Sequence, residues 1–150
     1  MIVKTKKLYK DAKLPTKAHS DDAGFDLYAH SMDYDNDGNI VYGTGVAFEI
    51  PKGYVGLLFP RSSNAKKDLL LSNSVGVLDS GYRGEVTFKF KIFYPSVAHH
   101  GFVHNSTNDY EIGDRIGQII IMPYPEVEFV EVDELSESER GDGGYGSSGH

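Results

Sequence analysis

The stretch VTFKFKIFY, residues 86–94, decides the fold class. Phe88, Phe90 and Ile92 alternate with Thr87, Lys89 and Lys91. A period of two puts the apolar set on one face and the polar set on the other, which is a half-buried strand and not a helix. The same texture recurs outward in both directions. MIVKTKKLY, GFDLYAH, GVAFEIP, YVGLLFP, RIGQIIIMPY and VEFVEV are short runs rich in β-branched and aromatic residues. Gly, Pro and Asn-Asp clusters separate them. Such spacing predicts an all-β sandwich or barrel. Only SSNAKKDLLL, residues 62–71, offers a few helical turns, started by a Ser62/Ser63 cap.

With 150 residues, one domain is expected, burying roughly 68–70% of its unfolded surface. There is no Cys, so disulfides, thiolate zinc sites and a Cys nucleophile are excluded. No run approaches a membrane span and the N-terminus has no apolar targeting core. A soluble, intracellular, cytoplasmic protein with no membrane partner is therefore expected. The net charge of −7 opposes direct binding to a nucleic-acid backbone. It leaves room for a small phosphorylated ligand met by local cations or a divalent metal. From Leu135 onward the apolar pattern ends, which predicts a β core over 1–134 and a mobile arm over 135–150. SVAHHGFVHNSTND, residues 96–109, reads as an exposed loop.

Two stretches imitate metal sites. DYDNDGNIVYGT, residues 33–44, begins like a calcium loop, but its twelfth position is Thr44 and not a bidentate Glu. Asn-Asp-Gly also makes a hairpin turn, and that is the expected structure. His99, His100 and His104 have no carboxylate at helical spacing, so a surface loop is favoured over a metal centre.

Other stretches carry chemistry, each beside a plainer reading. In PRSSNA, residues 60–65, Arg61 and two hydroxyls suit phosphate oxygens; an ordinary capped turn fits equally. SNSVGVLDSGYRGE, residues 72–85, reads as a hairpin with Val75, Val77 and Leu78 in its arm and Asp79-Ser80-Gly81 in its turn. Its backbone can pair with a nucleobase edge, with Tyr82 as a flat wall and Asp79 as a base at the mouth; a plain hairpin is the alternative. In GDRIGQIIIMPY, residues 113–124, Gln118 interrupts a buried strand. The tail Arg140–Gly149 lacks the Lys of a phosphate-binding P-loop, yet its glycines, Arg140 and Ser147/Ser148 can wrap phosphate, and Tyr145 can stack on a base.

The order of these pieces adds what none supplies alone. AGFDLYA (23–29), PRSS (60–63), GVLDSGYRGE (76–85), GDRIGQ (113–118) and RGDGGYGSSG (140–149) resemble the five motifs of the trimeric dUTPases. The resemblance implies a distorted β jelly roll, a homotrimer whose active sites are shared between subunits, and hydrolysis of dUTP to dUMP and pyrophosphate with Mg²⁺. It implies that uracil is kept out of DNA and that dUMP is supplied for thymidylate. On that resemblance Asp79 activates the attacking water. Asn73 and the backbone at Val77 and Leu78 read uracil, and Tyr82 packs under deoxyribose. Arg61, Ser62, Ser63 and Gln118 contact phosphates from a neighbouring subunit, and Asp26 reaches Mg²⁺ through water. Arg140 clamps the γ-phosphate; Tyr145, with Gly146, Ser147 and Ser148, closes over the substrate. Asn64, where a hydrophobic residue is common, Tyr145 for Phe and the long 96–109 loop depart from the pattern. The related dCTP deaminases need a Glu about where Lys89 stands, which opposes deamination. Asp79, Arg140 and the Ser-rich tail oppose a purely binding role.

Overall fold

The computed structural model describes residues 1–92 and 109–144. Ten strands form it: β1 (Lys4–Lys7), β2 (Phe25–Tyr28), β3 (Ser31–Tyr34), β4 (Ile40–Gly43), β5 (Val46–Glu49), β6 (Tyr54–Phe59), β7 (Leu69–Leu71), β8 (Gly76–Leu78), β9 (Thr87–Ile92) and β10 (Arg115–Pro123). Every pairing is antiparallel. The strands form two four-stranded sheets, ordered β2-β10-β6-β8 and β3-β4-β9-β7, and a separate two-stranded β1-β5 ribbon. The all-β expectation holds. Among the described residues, no helix is long and apolar enough to cross a membrane.

The alternation in β9 does what its period dictates. Phe88 and Phe90 are buried while Thr87, Lys89 and Lys91 face out. Their inner face meets Tyr42 and Ile40 of β4 and shares one core with Leu27, Leu58, Leu78, Ile116 and Ile119 of the other sheet. Tyr42 stands edge-on to Phe90 at 6.0 Å between ring centroids. Tyr42 is fully buried, and burial pushes its hydroxyl up to about 12, so it remains a neutral donor.

The Asn-Asp-Gly hairpin is present. β3 and β4 pair across a turn in which Gly38 takes φ 76°, a left-handed value that suits glycine. Asp35 organises that turn. Its carboxylate accepts from the backbone N–H groups of Asp37 and Asn39 and from the Asn39 amide, at 2.9–3.0 Å. Lys89 Nζ closes on it at 3.0 Å. The oxygens that a calcium loop would aim at an ion are thus spent on the turn.

Three expectations are corrected. SSNAKKDLLL holds only a five-residue 3₁₀ turn, Ser62–Lys66, and then β7. Leu69 and Leu71 point inward and pair with β9, so tertiary burial of alternate leucines overrides helix propensity. Ser62 and Ser63 lie inside the turn, and no side chain caps it. The 72–85 stretch is not a self-paired hairpin, because β8 pairs with β6 and the chain then crosses to β9 in the other sheet. VEFVEV, residues 127–132, forms no strand and is exposed throughout. Alternation supplies a face, but a strand also needs a hydrogen-bonding neighbour. The His99/His100/His104 stretch lies outside the described residues.

Candidate active site

Two clusters of the expected residues stand at opposite ends of one strand. At the C-terminal end of β6 the chain runs through Pro60 into the 3₁₀ turn. Arg61 is half-buried there, and its Nε donates to Asp26 Oδ1 at 2.7 Å. Arg61 Nη1 reaches Ser63 Oγ at 3.2 Å. Asp26 lies on β2 opposite Gln118 of β10, and Gln118 lies opposite Phe59 of β6. The sheet register therefore lines up Asp26, Gln118 and the start of the Arg61 turn. Gln118 Nε2 donates to Pro60 O at 3.1 Å, so its interruption of the apolar run is paid for by a backbone partner. Its Oε1 sits where a Cβ at Gly24 would be, and any larger residue at 24 would displace the amide. These groups line a cleft of about 310 Å³ with Ser62, Asp22 and Ile120.

Arg115 completes this end. Its Nη1 donates to Asp26 Oδ2 at 3.1 Å, so one carboxylate holds two guanidinium groups. Asp22 and Asp26 line the cleft against Arg61, with Arg115 bound to Asp26, so acidic and basic groups balance, and each guanidinium keeps further N–H donors for a phosphate. Arg115 was not singled out from the sequence. It lies 89 residues from Asp26, and no local spacing rule joins them.

The second cluster lies past β8. Leu78 is opposite Gly56 and Gly76 is opposite Leu58, so β8 runs down as β6 runs up. Asp79 follows β8, and the register carries it level with Val55, near the start of β6. Arg61 lies past the other end. At a rise of about 3.3 Å per residue the two are roughly 20 Å apart. Asp79 is exposed, and among the described residues no hydrogen bond uses its carboxylate. Its carbonyl accepts from Tyr82 N–H at 3.0 Å, closing the expected turn. Arg83 Nη1 clamps that turn from outside, donating to Ser80 O at 2.6 Å and Tyr82 O at 2.8 Å.

Tyr82 is held flat. Its ring occupies the space a Cβ at Gly84 would take, and its Oη donates to Glu85 O at 3.2 Å. Glu85 is anchored in turn by Gly45 N–H at 2.7 Å. β8 is an edge strand, so one side of its backbone is left for another partner. The Val77 side chain is exposed beside it, while Leu78 points into the core and offers backbone alone. Asn73 precedes β8 on a turn where Ser74 takes φ 60°, and its Nδ2 faces Gly76. Lys89, where a deaminase would place Glu, faces away and pairs with Asp35.

The structure thus brings Asp26, Arg61, Ser62, Ser63 and Gln118 together. It places Asp79 and Tyr82 toward the other end of β6, with Val77 and Leu78 along the strand, whereas Asn73, which precedes β8, falls at the Arg61 end. Arg140 stands in a separate exposed turn, its Nε bonded to Gly143 O at 2.9 Å. Tyr145, Gly146, Ser147 and Ser148 lie outside the described residues.

The β scaffold offers a cleft lined by Arg61, Asp22 and Asp26 at one end and an unpaired β8 edge beside it, an arrangement compatible with a nucleotide-phosphate hydrolase. Comparison with known proteins makes the class specific. The dUTPase family model matches residues 10–149. The deoxyuridine 5'-triphosphate nucleotidohydrolase of Tropheryma whipplei (strain Twist) is 40% identical over 144 residues, covering 95% of this chain and 92% of that one. That of Corynebacterium diphtheriae is 37% identical over 150 residues, covering 99% and 93%. A variant dUTPase of Staphylococcus bacteriophage 80alpha, solved with dUpNHpp, superposes with a TM-score of 0.83 at 32% identity over 99% of both chains. A dUTPase variant of phage phi11 of S. aureus, solved to describe a structural Mg(II) ion, gives 0.73 at 25% identity over 91% of this chain and all of that one. The chain belongs to the dUTPase family, and it is a hydrolase.

Proposed function

We propose that the chain hydrolyses dUTP to dUMP and pyrophosphate in sites shared between subunits of a homotrimer. Family membership supports the substrate, as does the dUTP analogue bound by the phage relative. The observation that carries the shared site is the separation of Asp79 from Arg61 along β6. One end holds the phosphate-binding charge and the other holds the base and the sugar wall. A single copy cannot apply both to one nucleotide, whereas a second copy placed end to end can.

In the composite site the free edge of β8 and the Asn73 amide pair with uracil, and the Tyr82 ring lies against deoxyribose. That ring leaves no space for a 2′-hydroxyl. Arg61, Ser62, Ser63 and Gln118 of a neighbouring copy hold the phosphates in line. Asp79, ionised and acceptor-only, takes the proton of a water aimed at the α-phosphorus. The oxygen–phosphorus bond forms as the bond to the bridging oxygen breaks, and pyrophosphate leaves with its electron pair. Arg140 meets the γ-phosphate. The arm of residues 135–150 closes on a neighbouring copy's site through Tyr145, Gly146, Ser147 and Ser148 and excludes bulk water.

The donor set suits Mg²⁺ carried by the phosphates. Asp26 lines the cleft, and each of its oxygens accepts one bond from an Arg, leaving further lone pairs for metal-bound water. Among the described residues no group of three or more carboxylate, His or Cys ligands gathers to hold a metal directly. When bound, the ion neutralises phosphate charge and fixes the triphosphate conformation.

Mixing two inactive proteins tests the whole reading. Asp79→Asn and Arg61→Ala variants should each lose pyrophosphate release. Co-refolded together, they should regain part of it, because some sites then draw the intact half from each. Two variants that stay inactive when mixed would mean that each site lies within one copy. Product analysis with dUTP, dCTP, UTP and dTTP, with and without Mg²⁺, tests the substrate.

A further inference from the structure

Beneath the Arg61 turn lies a buried polar chain that the activity does not explain. Asn64 is the one buried residue of the 3₁₀ turn, and it stands where an apolar residue would pack without cost. Its Nδ2 donates to Leu69 O at 2.8 Å. Its Oδ1 accepts from Tyr110 Oη at 3.1 Å. Its backbone N–H donates to Arg61 O at 2.9 Å, and its carbonyl accepts from Lys67 N–H at 2.9 Å. Every polar group of Asn64 is therefore used, and three of the four bonds lie within the turn or at its exit into β7.

Tyr110 is just as fixed. It is almost fully buried. Tyr42 Oη donates to Tyr110 O at 3.2 Å and accepts from Tyr110 N–H at 3.1 Å. The Tyr42 and Tyr110 rings meet edge-on at 5.9 Å, and Lys67 Nζ lies 4.4 Å from the centre of the Tyr110 ring. Burial pushes the Tyr110 hydroxyl above its ordinary value, with the nearby Arg61 charge acting the other way, so it stays protonated and able to donate. A continuous path thus runs from the fully buried Tyr42 of β4, through Tyr110 and Asn64, to the turn that carries Arg61, Ser62 and Ser63.

We propose that Asn64 and Tyr110 are positioning residues for phosphate binding: their buried hydrogen bond bolts the Arg61–Ser63 turn to the core. The turn is only five residues long and has no side-chain cap, so it has little means of its own to hold one conformation. An apolar residue at 64 would fill the space but could slide or rotate. A hydrogen-bonded amide fixes both pitch and depth, because a displaced turn would strand buried donors and acceptors. The inference rests on the reading that this turn contacts the triphosphate.

Binding measurements separate positioning from mere stability. The affinities of dUpNHpp with Mg²⁺ and of deoxyuridine, which has no phosphate, are measured for Asn64→Leu, Tyr110→Phe and the double variant. Asn64→Leu should weaken dUpNHpp about tenfold, the size of one stranded buried hydrogen bond, and change deoxyuridine less than about twofold. Tyr110→Phe should act in the same direction. The double variant should lose less than the two singles combined, because each single strands the partner of the other. Equal weakening of both ligands, or effects of the singles that simply add, would overturn the proposal. Arg61→Ala is the control. If it weakens dUpNHpp selectively and Asn64→Leu does not, the positioning role alone fails. If neither variant separates the two ligands, the phosphate role of the turn falls and this inference falls with it.

Discussion

Asp35 and Asp79 are both turn aspartates followed closely by glycine, and the molecule uses them in opposite ways. Asp35 has its oxygens satisfied by Asp37, Asn39 and Lys89. Asp79 uses only its backbone carbonyl for its turn, while Arg83 ties the turn from outside. The Asp79 carboxylate is left toward solvent. The difference teaches what to ask of an acidic residue. One whose acceptors are consumed locally is part of the frame. One whose turn is stabilised by other groups keeps its acceptors available, which is what the proposed role of Asp79 requires.

Removing the charge at each position breaks or sharpens that contrast. Asp79→Asn should lower kcat by about 10²–10⁴-fold, the range for a lost general base, while Tm stays put and dUpNHpp still binds. Steady-state kinetics, thermal unfolding and calorimetry check the three parts. A variant that keeps its activity would return Asp79 to the same standing as Asp35.

Tyr82 offers the next effect in size. It is pinned over Gly84 and to Glu85, so its ring is a rigid wall and not an adaptable contact. Tyr82→Ala should raise kcat/KM for UTP relative to dUTP by about tenfold, within what a steric pocket can discriminate. Competition between the two substrates reads this directly, and an unchanged ratio would remove the wall.

How much of this was legible follows from distance along the chain. β9 could be read because its signal is local: three apolar residues at period two force one face inward. The Asn-Asp-Gly hairpin was equally local. β7 was misread because Leu69–Leu71 satisfies helix and strand patterns alike, and only the presence of β9 beside it decides. Motif order nominates the site residues, but their spread along β6 depends on the antiparallel register with β8 and cannot be read from it. Arg115 was hidden for the same reason, since its meaning lies in a carboxylate on another strand. Asn64 was visible as a departure and could not be interpreted without Tyr110, 46 residues away.

The smallest effect concerns Asp35 itself. Backbone and side-chain hydrogen bonds from Asn39, then the Lys89 contact, hold its carboxyl well below the usual carboxylate range. A carboxyl whose pKa is depressed on folding contributes stability above its unfolded value, near 3.9 for Asp, and loses it as pH falls through the folded value. Asp35→Asn keeps an oxygen for the turn but drops the charge. At neutral pH it should lower Tm by a few degrees and leave kcat/KM for dUTP unchanged. As pH falls below about 4, Asp35 of the unfolded parent takes up its proton while the folded carboxylate does not, so the advantage of the charge shrinks and the two Tm values should approach each other. A gap that stays constant down to pH 2 would show that shape and not charge holds the hairpin. A fall in kcat/KM at pH 7 would break the contrast outright, because the frame aspartate would then be acting on the chemistry.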